Sequence, residues 1–219
     1  MHQPLAFQLL QQHFWLSPNR YIFWEEEKAL IVSDLHFGKT GHFRKSGIAV
    51  PQNIFKEDLQ RLMDGISFFK PGQIIAVGDL FHSHANKELD LFLKWRNDFA
   101  ALHFHLIKGN HDILKDDWYT SANLTITKDV LHIGSFNFVH DINHLSSPQT
   151  NSYSFSGHIH PGISLKGISK QSLHFPCFYF SSHYAVLPAY SRFTGSVNIK
   201  ASKKDNVFAI VNNAVIKVS

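Results

Sequence analysis

The sequence predicts a layered α/β domain built on two packed mixed β-sheets flanked by helices. Two observations carry that prediction. In the first half, short β-branched apolar runs alternate with amphipathic helical stretches, the pattern of strand–helix–strand units. After residue 120 the helical spacing stops and short strands separated by turn residues follow one another, so the second half is predominantly β. The 219 residues read as one domain, 1–219, large enough for a substantial core and free of linkers, repeats and low-complexity tracts.

The elements follow in order. Residues 20–24 (RYIFW) and 29–33 (ALIVS) flank Glu25-Glu26-Glu27-Lys28 and read as a β-hairpin with a charged, solvated turn. From Pro51 to Phe69, Ile54, Leu59, Leu62, Met63 and Ile66 recur at helical spacing, and Pro71-Gly72 ends the helix. A buried strand follows at 73–77 (QIIAV), a second amphipathic helix at 87–99, and a third strand of this type at 102–107 (LHFHLI). The alternation leads us to expect a mostly parallel sheet. Further strands are expected at 129–133, 135–140, 152–156, 172–180, 195–199 and 206–217.

Composition narrows the class. Hydrophobic content of 44% with 17% charged residues is that of a globular protein and argues against disorder. No apolar run approaches the ~20 residues of a membrane span. The opening MHQPLAFQLLQQHFW has no basic start, long apolar stretch or small-residue cleavage site, so no signal peptide is expected. A lone cysteine, Cys177, excludes an intrachain disulfide and fits a reducing cytoplasm, with the thiol in the core. The formal charge of +4 leans mildly towards anionic partners. The 16 histidines are dispersed rather than clustered as in a tag, which points to ligand or acid–base work for some of them.

The chemistry lies at the strand ends. The run ending at Val32 and Ser33 is followed by Asp34 and, two residues on, His36, which in extended chain would share a side. Val77 is followed by Gly78-Asp79, Ile107-Lys108 by Gly109-Asn110-His111-Asp112, a later strand ends in His140, and "GHIH" supplies His158 and His160. Ligands of open α/β sheets bind beyond the carboxyl ends of the strands. A bare carboxylate at a buried strand end is costly, and cations would offset that cost. Seven donors (Asp34, His36, Asp79, Asn110, His140, His158 and His160) are too many for one small cation and suit two that share a carboxylate. The absence of thiolates argues against a structural zinc site, and mixed imidazole and oxygen donors suit Mn²⁺, Fe or Zn²⁺. Paired cations activate water and clamp the oxygens of an in-line phosphoryl displacement.

"DLH", "GD", "GNHD" and "GHIH", in this order, resemble the calcineurin-like metallophosphoesterase superfamily. The resemblance implies that Asp34, His36 and His160 hold one metal, that Asn110, His140 and His158 hold the second, and that Asp79 bridges them. It also implies His111 as the general acid, with Asp112 orienting its ring. "GKTGHFRKSGIAVP" (38–51), "GDLFHS" (78–83), "LPAYSRFTGS" (187–196) and the upstream "LSPNRYIFW" look like the bacterial ligase-associated DNA damage response endonucleases, a likeness covering nearly the whole chain. That subfamily implies a Mn²⁺-preferring phosphodiesterase or nuclease acting on DNA, associated with DNA-repair ligase and helicase functions. Ser191 and Ser196 depart from it, standing where glycines are usual, so a different arrangement of that loop is expected.

Simpler readings stand beside these. His82, in "GDLFH", also resembles the position of double-strand-break repair nucleases that lies beside the substrate phosphate, and a supporting role behind the ligands is the alternative. Lys39, Arg44 and Lys45, just after the first two ligands, are expected at the substrate phosphate; an ordinary solvated face is the alternative. "FGKT" imitates the end of a phosphate-binding loop but has Ser33 where that motif needs glycine. His84, His103, His105, His132 and His174 read as structural or exposed, and Lys200, Lys203 and Lys204 as a charged turn. Two other functions are weighed: a phosphodiesterase or phosphatase of small nucleotides, which would share the site, and a non-catalytic scaffold of the same fold. Scaffolds lose ligands or the histidine of "GNHD", and all are present here.

Overall fold

The computed structural model describes residues 3–39, 54–82, 87–145, 152–167 and 171–219. The first sheet has seven strands in sequence order: β1 (Leu5–Leu9), β2 (Gln12–Leu16), β3 (Ile22–Trp24), β4 (Ala29–Ser33), β5 (Gln73–Val77), β6 (His103–Ile107) and β7 (Thr125–Thr127). Strands β1 to β4 pair antiparallel, and β4 to β7 parallel. The expectation of a mostly parallel sheet is therefore corrected: the helical crossovers, α1 (Ile54–Phe69) and α2 (Lys87–Asp98), serve only the β4–β5–β6 half. The other half is a meander of tight turns.

The second sheet is built from β8 (Val130–Ile133), β9 (Phe136–Val139), β10 (Tyr153–Ser156), β11 (Pro161–Lys166), β12 (Ser172–Phe180), β13 (Tyr184–Val186) and β14 (Val197–Asn198). Its order is β14-β11-β12-β13-β10-β9-β8, and β15 (Asn206–Val211) pairs with β12 and carries β16 (Ala214–Lys217) outside it. The parallel β9–β10–β13 block makes this sheet mixed as well.

Period-two alternation along the buried strands separates two cores. Leu30 and Val32 of β4 and Ile74 and Ala76 of β5 face Leu62 and Ile66 of α1 and Phe92 of α2. Their neighbours Ala29, Ile31, Ile75 and Val77 face Phe136, Phe138, Phe155 and Phe178 of the second sheet. The layers are thus helices, sheet, sheet. The aromatic interlayer includes the stacked pair Phe138–Phe155, with ring centroids 5.4 Å apart.

Several elements differ from the sequence expectation for local reasons. The β1–β2 hairpin turns on Leu10 and Gln11, both in the left-handed region (φ 48° and 63°), so no glycine, asparagine or aspartate announces it. The expected strand 206–217 is a hairpin broken at Asn212-Asn213, both left-handed. Strands β7 and β13 and the short helix α3 (Asp116–Ser121) have too few residues to show a period. Among the described residues, no helix is long and apolar enough to cross a membrane.

Candidate metal centre

The carboxyl ends of β4, β5 and β6 and those of β9 and β10 meet at one edge of the two-sheet stack. Asp34 and Asp79 are buried there, with His36 and His140. His160 is mostly buried; His158 and Asn110 lie on the open side. All seven residues singled out from the sequence gather at this edge.

Asp34 and His36 do not sit in extended chain, as their spacing suggested. Asp34, His36, Asp79, His158 and His160 all have positive φ, between 49° and 67°. Left-handed backbone is uncommon for residues with a β-carbon, and here it occurs at five of the seven donor positions. β4 ends at Ser33 and β5 at Val77, just before the left-handed Asp34 and the Gly78-Asp79 pair. Two glycines permit the crowding. A β-carbon on Gly78, itself at φ 80°, would fall 1.8 Å from His140 Nδ1, and one on Gly109 would fall 2.2 Å from Asp79 Oδ1.

The donor atoms form two groups. In the first, His160 Nε2 lies 3.3 Å from Asp34 Oδ1 and 3.4 Å from His36 Nε2. In the second, His140 Nε2 lies 3.1 Å from Asn110 Oδ1, 3.5 Å from Asp79 Oδ1 and 3.1 Å from His158 Nδ1. Asp79 faces both, since its Oδ2 is 3.9 Å from His36 Nε2. Asp34 also reaches towards both, with Oδ1 4.0 Å from His140 Nδ1. Asp34, His36 and His160 offer donor atoms within 4.8 Å of one another, as do Asp34, Asp79 and His140.

The electrostatics fit cations. Burial alone would raise the Asp34 carboxyl, but the bond and charge of His160, the charge of His140 and the Ser33 hydroxyl hold it below the usual carboxylate range. Burial lifts Asp79 above that range, against the pull of His140 and the His111 N–H, and the neighbouring Asp34 charge adds to the rise. Burial lowers His36 to about 3, so its ring stays neutral and able to ligate. His140 faces the Val77 carbonyl through Nδ1 at 3.4 Å; with the proton there, Nε2 presents a lone pair to Asn110 Oδ1 and Asp79 Oδ1. Acceptors converging in this way need positive charge between them, and the donor set fits a divalent metal ion.

Around the donors, His111 donates its backbone N–H to Asp79 Oδ1 at 2.9 Å and exposes its ring, with Nε2 4.0 Å from Asp79 Oδ2. The His82 ring lies beside it, centroids 4.3 Å apart, and 5.4 Å from that of His36. For Asp112, expected to orient the His111 ring, the structure shows backbone partners. Its Oδ1 accepts the backbone N–H of Leu80 (3.0 Å) and Phe81 (3.1 Å), and its Oδ2 that of Gly109 (2.9 Å). Asp112 therefore ties the loop after β5 to the loop after β6. Burial lifts its carboxyl to about 7 despite these amides, and Asp79 adds to the rise.

Lys39 is half-buried at the rim. Burial lowers its amine, while the charges of Asp79 and Asp34 act in the opposite direction, which puts it within their field. Arg44 and Lys45 lie outside the described residues, as does His84. The N–H of Gly38, which a phosphate-binding loop would offer to its ligand, goes instead to Glu88 Oε2 at 2.6 Å.

The segment 187–196 is held by contacts the sequence did not reveal. Tyr190 N donates to Ser33 O at 2.8 Å and Ser191 N to Asp34 O at 3.3 Å, bracing the strand end that carries Asp34. Arg61 of α1 grips Tyr190 O (2.8 Å), Asn19 O (2.8 Å) and Asp58 Oδ1 (2.6 Å), and Arg20 takes the carbonyls of Ala189 and Ser191. Ser191 Oγ accepts Phe193 N, and Ser196 Oγ bonds His174 Nε2 at 2.9 Å, which gives both departures from glycine a structural use. A cavity of about 600 Å³ beside Asn110, His140 and His158 was also missed. Lys108 and Lys128, each 3.0 Å from a different oxygen of Asp116, line one wall.

Comparison with known proteins agrees with this geometry. A family model described as calcineurin-like phosphoesterase matches residues 27–175. The Pseudomonas putida nuclease MPE superposes with a TM-score of 0.82 at 25% identity, over 98% of this chain and 100% of that one. A protein of unknown function from Aquifex aeolicus gives a TM-score of 0.41 at 16% identity, over 60% of this chain and 78% of the other. No sequence among the curated proteins matches significantly. The matched region holds every donor from Asp34 to His160 and joins both sheets, so the chain belongs to the calcineurin-like phosphoesterase family and is a hydrolase of phosphoester bonds.

Proposed function

We propose that the protein is a nuclease or phosphodiesterase that cleaves nucleic-acid strands, DNA first among them, with two divalent cations. The observation that carries the reading is Asp79, buried between the two donor groups with one oxygen towards His36 and the other towards His140. Asp34, His36 and His160 would hold one cation, Asn110, His140 and His158 the other, and Asp79 both. The all-nitrogen-and-oxygen donor set suits Mn²⁺ first, with Fe or Zn²⁺ as alternatives. Bound there, the cations supply Lewis-acid polarisation of the phosphoryl group and activation of water.

The chain's own residues do the rest. His111, exposed beside Asp79, gives a proton to the leaving oxygen. His82 packs against that ring and limits its orientation. Lys39 takes a phosphate oxygen at the rim, and Arg44 and Lys45, which follow it in the sequence, would contact the strand's phosphates. Likeness to the Pseudomonas putida nuclease over the whole chain supports a nucleic-acid substrate, and the ligase-associated motifs support a role in DNA repair alongside ligase and helicase functions. The lone buried thiol, Cys177, goes with a cytoplasmic setting.

The test is the purified protein with Mn²⁺ on single- and double-stranded DNA, RNA, cyclic nucleotides and a chromogenic diester. Cleavage of DNA strands is expected. Turnover confined to small nucleotides would replace this reading with that of a nucleotide phosphodiesterase. Inactivity on every substrate with metals bound would count against both.

A further inference from the structure

We infer that the cavity beside the second donor group is a subsite for the nucleotide next to the scissile phosphate, with Lys108 and Lys128 receiving that nucleotide's further phosphate. The inference rests on the nuclease reading above and deepens it. Lys108 follows β6 and Lys128 follows β7, two adjacent parallel strands, and Lys108 N donates to Thr127 O at 2.8 Å. Both lysines therefore leave the first sheet at its carboxyl edge, where ligands of such sheets bind and where the metal donors lie. They line the same cavity of about 600 Å³ as Asn110, His140 and His158. That volume is within the ~300–1,000 Å³ of small-ligand pockets and admits a nucleotide.

The charges of the cavity place the phosphate. Asp116, at the start of α3, has one oxygen 3.0 Å from each ammonium and so holds both on one wall. Lys108 is fixed further: its side chain is only 18% exposed, and its Nζ lies 4.9 Å from the centroid of the Tyr119 ring. Two ammonium groups share one carboxylate, which leaves that wall a positive charge. An ammonium has three N–H donors, so engaging Asp116 does not exhaust it. Asp129 and Asp141 also line the cavity and repel a phosphate from their side. The phosphate thus belongs at the lysines, with the uncharged sugar and base between them and the metal donors. Lys39 stands by the first donor group, so the strand is gripped on both flanks of the scissile phosphate.

The test uses thymidine dinucleotides that share one linkage: one with hydroxyl ends, one with a 5′-phosphate, one with a 3′-phosphate. Each is hydrolysed with Mn²⁺, and kcat/KM is divided by that of the hydroxyl-ended form in the same protein. A ratio taken within one protein is insensitive to a variant's stability or metal loading. In the native chain the added phosphate at one end should raise kcat/KM roughly tenfold, the gain of a hydrogen bond to a charged group. In Lys128→Ala and Lys108→Gln that gain should largely vanish. A second readout is binding of a phosphorothioate single strand, followed by fluorescence anisotropy at rising salt. The slope of log affinity against log salt should fall by about 0.7 in Lys128→Ala, the share of one phosphate contact.

Equal gains in native and variant proteins, or no gain at either end, would overturn the inference and leave the nuclease reading standing. An unchanged salt slope would do the same, and it decides the matter if only longer strands are cleaved. Failure to cleave any dinucleotide or strand, with a chromogenic diester turned over, would overturn the nuclease reading and this inference with it.

Discussion

His111 shows how one residue's setting predicts its chemistry. Its main-chain N–H anchors it to Asp79 while its ring stays at the surface, so the side chain can move a proton without holding a metal. His111→Ala should therefore retain bound metal and lose about 10²–10⁴-fold in turnover of a diester with an alkoxide leaving group. A p-nitrophenolate leaving group departs without a proton, and its release should suffer far less. Parallel losses on both substrates would remove the acid role. At this scale most of the site was legible, because a donor placed just past a buried strand keeps its place in the sequence. What could not be read was Asp112. "GNHD" sets it next to the histidine, but backbone amides from Leu80 and Phe81, over thirty residues earlier, claim its oxygen.

At the scale of elements, the segment 187–191 behaves as a strut between α1 and the end of β4. Arg61 is buried against Asp58, with its guanidinium 4.2 Å from the centroid of the Tyr190 ring. Arg61→Ala would leave Asp58 buried without its partner, and removing one member of a buried pair typically costs about 3–5 kcal/mol. Urea unfolding should register that loss as a lower midpoint with an unchanged slope. A midpoint shift worth less than ~1 kcal/mol would show the strut to be dispensable. Helices and central strands were readable because their periods run over many side chains: α1 shows Leu62 and Ile66 one turn apart, and β5 matches its expected bounds. The strut was not, because Arg20 and Arg61 meet carbonyls more than a hundred residues away.

The whole molecule brings two carboxylates and four imidazoles from both sheets to a single edge, so metal and fold should stabilise each other. A cation held at a hundredfold its dissociation constant adds about 2.7 kcal/mol, and two would raise the melting temperature of a chain this size by roughly 10–20 °C. Melting with EDTA and with added Mn²⁺ would measure this. Coincident curves would mean that neither donor group holds a cation in the folded state. The two-sheet architecture was foreseeable from the change in pattern near residue 120. The convergence was not derivable from periodicity, since His36 and His160 lie 124 residues apart and meet only once the sheets stack.

The left-handed backbone at Asp34, His36, Asp79, His158 and His160 also limits how this centre could drift in evolution. Outside glycine, that conformation is adopted most readily by asparagine, aspartate and histidine, while other side chains incur about 1–2 kcal/mol. Replacement of a donor by alanine or valine would thus strain the chain as well as remove a ligand. Asparagine in the same place would remove a charge or an imidazole with little conformational penalty. Lineages that abandon catalysis should cross this barrier through asparagine or glycine, and the edge would keep its shape long after its chemistry had gone.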